Sequence, residues 1–167
     1  KFANKYMAVA KVEPIKEALI HMKQAGIHIE ITDLVVPEVG DSIEDCDSLT
    51  KWIRDNLGAD TPLQFITFFP DYKMQDLPVT PYDTLLKHYQ CARKNGLNYV
   101  YIGNAPGNPY ESTYCPRCGA KVIGREGFEI TEWNLDEKNR CRKCKYQISI
   151  YGKRAENLGY RDIFVLY

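Results

Sequence analysis

Two short cysteine pairs constrain this chain more than any other feature. Cys115-Pro116-Arg117-Cys118-Gly119 carries the first and Cys141-Arg142-Lys143-Cys144 the second, with 22 residues between Cys118 and Cys141. A tetrahedral metal ion needs four thiolates at about 2.3 Å, and a tight turn at each pair delivers two sulfurs from one piece of backbone. Pro116 presets the first turn, and Gly119 can take the left-handed conformation that closes it. Cys115, Cys118, Cys141 and Cys144 are therefore the expected ligands of one structural site, with zinc as the leading ion. A single iron in the same geometry, or two disulfides, are the alternatives. Zinc held by four cysteines has no open coordination position, so a folding role is expected of it.

Ahead of the cysteines the apolar pattern alternates between periods. Val12-Glu13-Pro14 opens a helix whose Ile15, Ala18, Leu19 and Met22 fall at helical spacing, and Gly26 stops it. Ile27–Val36 reads as a strand apolar enough for burial on both faces. Ser42 caps a second helix, with Asp45 as capping-box acid and a stripe of Leu49, Trp52, Ile53 and Leu57. Thr61–Phe69 is the next strand. Thr80 caps a third helix that begins at Pro81, with Leu85, Leu86 and Tyr89 facing inward. Asn98–Ile102 is the third strand. His21 and His28 read as surface or packing residues, His88 as a surface residue, and Cys46 and Cys91 as small packing residues within helices.

Strands alternating with helices over short links predict parallel pairing with right-handed crossovers. Ligands in such sheets sit at the carboxyl ends of the strands, here Asp33–Asp41, Pro70–Lys73 and Gly103–Gly107. The fold class is thus α/β: three parallel strands with helices, then a small four-cysteine module. Residues 1–110 form the first part, 111–152 the metal module, and 153–167 a tail. Within that tail Tyr160–Tyr167 reads as a short strand able to cover a sheet edge. At 167 residues the chain accommodates one domain plus such a module. It opens at Lys1 and not at methionine, and reads as the inside of a longer protein.

Basic and acidic residues balance at 22 each, so no overall field draws the chain to nucleic acid or membrane. No apolar run approaches the roughly 20 residues of a membrane span. Six cysteines, four of them in ligand spacing, fit a reducing, cytoplasmic setting. Arg117, Arg125, Arg140, Arg142, Lys143 and Lys145 could face a partner, but Glu126, Glu129, Glu132, Asp136 and Glu137 share the same stretch. The patch is mixed in sequence, and nucleic acid is disfavoured as a partner. Gly103–Gly107 as a phosphate cradle is weaker still, because Pro106 lacks a donor that a cradle needs.

Three runs together resemble a known family: Glu30-Ile31-Thr32-Asp33-Leu34-Val35-Val36-Pro37, Phe68-Phe69-Pro70-Asp71-Tyr72-Lys73, and Tyr99-Val100-Tyr101-Ile102-Gly103-Asn104-Ala105-Pro106-Gly107. Followed directly by Thr113-Tyr114 and the first cysteine pair, they are similar to the carboxyl half of radical S-adenosylmethionine enzymes related to pyruvate formate-lyase activating enzymes. Within these, the resemblance is to the branch associated with AMMECR-type and Memo-type proteins. It implies a partial (β/α)6 barrel, S-adenosylmethionine, a 4Fe–4S cluster and hydrogen abstraction by a 5′-deoxyadenosyl radical. Thr32, Asp33 and Val35 would lie near the cofactor, Pro70, Asp71 and Tyr72 beside the adenosyl group, and Asn104 in the third loop. The family's C-x3-C-x2-C cluster motif is absent from this chain, so the chain alone is expected to be inactive, with the chemistry in a longer parent. A missing amino-terminal half-barrel, or another chain, would cover the sheet edge. The competing expectation is a non-catalytic zinc-ribbon binding or assembly module.

Overall fold

Chain order and sheet order coincide in the first part of the molecule. In the computed structural model, which describes residues 11–127 and 129–151, strands β1 (Ile31–Val35), β2 (Leu63–Thr67) and β3 (Val100–Gly103) form a parallel sheet in the order β1-β2-β3. Helix α1 (Glu13–Gln24) precedes β1, α2 (Ile43–Asn56) links β1 to β2, and α3 (Tyr82–Lys94) links β2 to β3. Two compact units divide between Ala105 and Pro106. The second is built on an antiparallel sheet of β4 (Thr113–Tyr114), β5 (Lys121–Glu126) and β6 (Glu129–Trp133). The architecture is mixed α/β with a four-cysteine cluster toward the carboxyl end. The strand expected at Tyr160–Tyr167 lies outside the described residues.

Register decides which residues share a face. Asp33 stands opposite Phe65 and Phe65 opposite Ile102; Thr32 stands opposite Gln64 and Gln64 opposite Tyr101. Side chains alternate along a strand, so these two rows lie on opposite faces. The Phe65 face is buried: Val35, Leu63, Phe65 and Ile102 are solvent-free, as are Ile53 of α2 and Leu85 of α3. The other face carries exposed Thr32 and Gln64, and Leu34 is 46% exposed. Burial of β1 on both faces therefore does not hold among the described residues, because α2 and α3 pack only against the Phe65 row.

Two further expectations are corrected by packing. His88 is buried, not surface: its ring meets Phe65 edge-on at 5.4 Å, and its Nδ1 pairs with the Thr84 carbonyl at 2.8 Å. Thr80 does not cap α3, whose N-cap is Pro81 without a side-chain bond. Its hydroxyl instead donates to the Val35 carbonyl at 2.6 Å and accepts from Phe68 N–H at 2.8 Å. A buried hydroxyl satisfied both ways holds the ends of β1 and β2 together. Of the stripe expected in α2, Ile53 and Leu57 are buried and Leu49 and Trp52 half-buried, with Cys46 and Thr50 buried beside them and Ser42 accepting from Asp45 N–H as the cap. Helix α1 buries no residue, and Ile15 is 47% exposed.

Candidate metal centre

Each cysteine pair folds into the same small turn. In the first, Gly119 N–H donates to the Cys115 carbonyl at 2.9 Å and Cys115 N–H to the Ala120 carbonyl at 2.8 Å. In the second, Lys145 N–H donates to the Cys141 carbonyl at 2.8 Å and Cys141 N–H to the Tyr146 carbonyl at 2.9 Å. The residue after each second cysteine is left-handed, Gly119 at φ +69° and Lys145 at φ +60°. Glycine takes this conformation without strain, whereas a residue with a Cβ is disfavoured there. Lys145→Gly is accordingly expected to raise stability by about 1 kcal/mol. A denaturant midpoint that falls in this variant would show that the Lys145 side chain contributes more than its backbone costs.

Two antiparallel bridges, Leu135 with Cys141 and Arg140 with Gln147, support the second turn. Asp136 braces it: Oδ1 accepts from Lys138 N–H and Arg140 N–H at 3.0 Å each, and Oδ2 pairs with the Arg140 guanidinium at 3.0 Å. The Arg140 and Lys138 amides hold its carboxyl well down, at about 2.

The four sulfurs all lie within 4.8 Å of one another. Cys115 Sγ and Cys144 Sγ are 3.5 Å apart, and Cys118 Sγ and Cys141 Sγ 3.8 Å apart. A regular tetrahedron with metal–sulfur bonds of about 2.3 Å has edges of about 3.8 Å, so the group is sized for a zinc ion. All four are free cysteines arranged as one cluster, not as two bonded pairs. The two turns prepare their first sulfurs differently. Burial pushes the Cys115 thiol up to about 12, although the Cys118 and Arg117 amides point at it. At Cys141 burial also opposes ionisation, but the Cys144 and Lys143 amides outweigh it and hold the thiol at about 7. Four thiolates packed this closely need a cation among them. The group can therefore hold a metal ion, and the donor set suits zinc.

The remaining candidates all lie in the first unit, on β1 or just beyond the carboxyl ends of β2 and β3. Thr32 lies on the open face of the sheet. Asp33 and Val35 turn to the helix-covered face, because residues two apart on a strand share a side and Thr32, one residue before Asp33, faces the other. Burial raises the Asp33 carboxyl above its ordinary 3.8, and the nearby His88 partly offsets this. A raised carboxyl means that its stabilising contribution is full below 3.8 and is lost as pH rises through the folded-state value. Asp33→Asn should thus be more stable than the parent at neutral pH, with the difference closing as pH falls through the folded-state value and gone below about 3.8, read on amide signals of the first unit. A difference that is constant with pH would assign the effect to packing.

Pro70, Asp71 and Tyr72 follow β2, where Asp71 Oδ1 accepts from Tyr72 N–H at 2.7 Å and Tyr72 is 78% exposed. Asn104 is exposed just beyond β3. Each of the three carboxyl-end loops holds one non-glycine residue with positive φ: Glu38 at +63°, Tyr72 at +47° and Asn104 at +55°. Asparagine visits this region readily, but for tyrosine it is a true outlier. Glu38 did not stand out in the sequence, since a backbone angle leaves no periodic signature. Among the described residues no helix is long and apolar enough to cross a membrane.

Fold and site together define a class: a parallel α/β unit followed by a unit whose four-cysteine group could hold a metal ion. No protein-family model matches the chain. It is similar to an uncharacterized protein of Methanocaldococcus jannaschii, 45% identical over 147 residues, which is 87% of this chain and 44% of that protein. The chain thus spans less than half the length of the relative it matches.

Proposed function

We propose that the chain is the carboxyl-terminal part of a longer radical S-adenosylmethionine enzyme of the activating-enzyme type, with a structural zinc ion on Cys115, Cys118, Cys141 and Cys144. The observation that carries this reading is the first sheet: three parallel strands with helices on one face, an opposite face open among the described residues, and a left-handed residue in every carboxyl-end loop. Strained backbone concentrates where a fold positions a ligand. Such a half-sheet is what a partial barrel would leave if its amino-terminal strands lay elsewhere in the parent, and the relative's greater length supports a longer parent.

In the intact enzyme, S-adenosylmethionine bound at a 4Fe–4S cluster supplies a hydrogen-abstracting radical. This chain contributes no cluster ligand, since it holds no C-x3-C-x2-C spacing. Thr32, Gln64 and Tyr101 would line the barrel interior from the open face. Pro70, Asp71, Tyr72 and Asn104 would border the ligand at the strand ends. Asp33 and Val35 would act through the main chain, the Val35 carbonyl being fixed by Thr80. The amino-terminal half would cover the open face, and AMMECR-type and Memo-type proteins are the partners this reading suggests.

The test has two arms. Metal analysis of the purified chain should find about one zinc per chain and no iron–sulfur absorbance in the visible. The intact parent, reconstituted anaerobically with iron and sulfide and then reduced, should convert S-adenosylmethionine to 5′-deoxyadenosine. A parent with no C-x3-C-x2-C motif, or one that leaves S-adenosylmethionine intact, would remove the enzyme reading and leave the zinc-ribbon binding module as the better one.

A further inference from the structure

Charges that are interleaved along the sequence separate in space within the second unit. Three acids, Glu111, Glu126 and Glu129, gather at one end. Glu126 pairs in register with Glu129 at the far turn of the β5–β6 hairpin, and Glu111 Oε2 accepts from Gly127 N–H at 2.9 Å beside it. Strand β5 carries this end about 17 Å from Lys121, at the strand rise of about 3.4 Å per residue. Nearer the cysteines Glu132 pairs with Lys121 at 2.9 Å and Asp136 with Arg140 at 3.0 Å, while Glu137 is exposed beside Lys138.

The cations left over collect at the metal end. Arg117 sits inside the first cysteine turn, and Arg142, Lys143 and Lys145 sit in or beside the second; all four are exposed. Because the four sulfurs lie within 4.8 Å of one another, the two turns bring these cations to one end of the unit. None of the four is in an ion pair among the described residues. The bland reading is that they offset the charge of the metal centre. Zinc with four thiolates carries a net charge of two, and four cations exceed it. The Arg117 guanidinium also lies over the Tyr146 ring at 5.5 Å, which places a flat aromatic beside the cations. Planar guanidinium groups suit phosphate oxygens, and an adjacent aromatic ring suits an unpaired base.

We propose that this metal-end face binds single-stranded nucleic acid through its phosphate backbone, with Arg117, Arg142, Lys143 and Lys145 as the phosphate contacts and Tyr146 as a base-stacking neighbour. The face exists only when the two turns are joined, so binding depends on the metal. It does not depend on the radical chemistry proposed above.

The test is fluorescence anisotropy of a labelled oligouridine with the zinc-loaded chain. Four phosphate contacts to a single strand give a log–log salt slope of about −3, so affinity falls about 50-fold between 50 and 200 mM salt. The double variant Lys143→Gln, Lys145→Gln should keep its zinc and lower the slope to about half. Glu126→Gln with Glu129→Gln, at the far end, should leave the slope unchanged. No binding at 50 mM salt by the zinc-loaded chain, or a slope that the lysine pair does not change, overturns the proposal. Displacement of the oligonucleotide by an oligoglutamate peptide of equal length and equal salt dependence also overturns it, and assigns the face to an acidic protein segment.

Discussion

Stripping the metal from Cys115, Cys118, Cys141 and Cys144 will unfold the second unit and leave the first folded. The second unit is small, and its solvent-free core rests on few side chains, with Val122, Leu135 and Ile148 packed beside the ligands Cys115 and Cys141. A unit of this size seldom holds together by apolar burial alone. Structural zinc supplies about 10–16 kcal/mol to comparable small modules at neutral pH, which is more than such a core provides. Chelation, or Cys118→Ser, should therefore erase the dispersed amide signals of residues 106–151 while those of 11–105 persist. The first unit has its own core in Phe65, Ile53, Leu57, Leu63, Leu85, Leu97 and Ile102, none of which belongs to the four-cysteine group. Collapse of both signal sets on chelation would show that the metal holds the whole chain together, and persistence of both would show that the cluster is not a folding site. Acid should act in the same direction, since protons compete with the metal for thiolates.

Phe65→Ala should destabilise the first unit by about 3–5 kcal/mol, the range for deleting a buried aromatic. Phe65 is solvent-free at the centre of the middle strand, between Asp33 on one side and Ile102 on the other. Its ring is also the surface against which the His88 ring stands edge-on. Removing it leaves a cavity and widens water access to a buried histidine and a half-buried carboxyl. Gln64→Ala, one residue away on the open face, should change stability by no more than about 0.5 kcal/mol, as surface substitutions do. Urea midpoints of the two variants check this directly. Equal losses would mean that the open face is packed against something, and a negligible loss at Phe65 would mean that the core collapses around the gap.

These two expectations differ in how far they could be read before the fold was known. The four ligands were legible because each turn is a local event, closed within five residues by proline, glycine and the cysteines themselves. The helix and strand order was legible for the same reason, although the strands proved shorter than their apolar runs: Ile31–Val35 within Ile27–Val36, and Leu63–Thr67 within Thr61–Phe69. His88 was misread because a lone histidine on a helix carries no mark of what the helix packs against. Thr80 was misread because a threonine ahead of a helix looks like a cap, whereas its hydroxyl is satisfied by two strands 12 and 45 residues away. The basic residues of the second unit looked diluted by acids because sequence neighbours were counted; the hairpin carries Glu126 and Glu129 to its other end, and Lys121 and Arg140 take up Glu132 and Asp136.

What the sequence determined by itself is therefore the local chemistry: four thiolates in two turns, three strand–helix repeats, and the absence of a C-x3-C-x2-C motif in this chain. Period-two alternation along β1 also sorts Thr32 from Asp33 and Val35. It does not say which side meets the helices, because that depends on where α2 and α3 cross the sheet. Only the tertiary structure decided that Asp33 turns inward beside His88, that two distant cysteine turns converge within 4.8 Å, and that four cations come with them. Local turns are set by a few neighbouring dihedrals. Burial, metal geometry and charge separation depend on chain segments far apart in sequence, and those meet only when the whole unit folds.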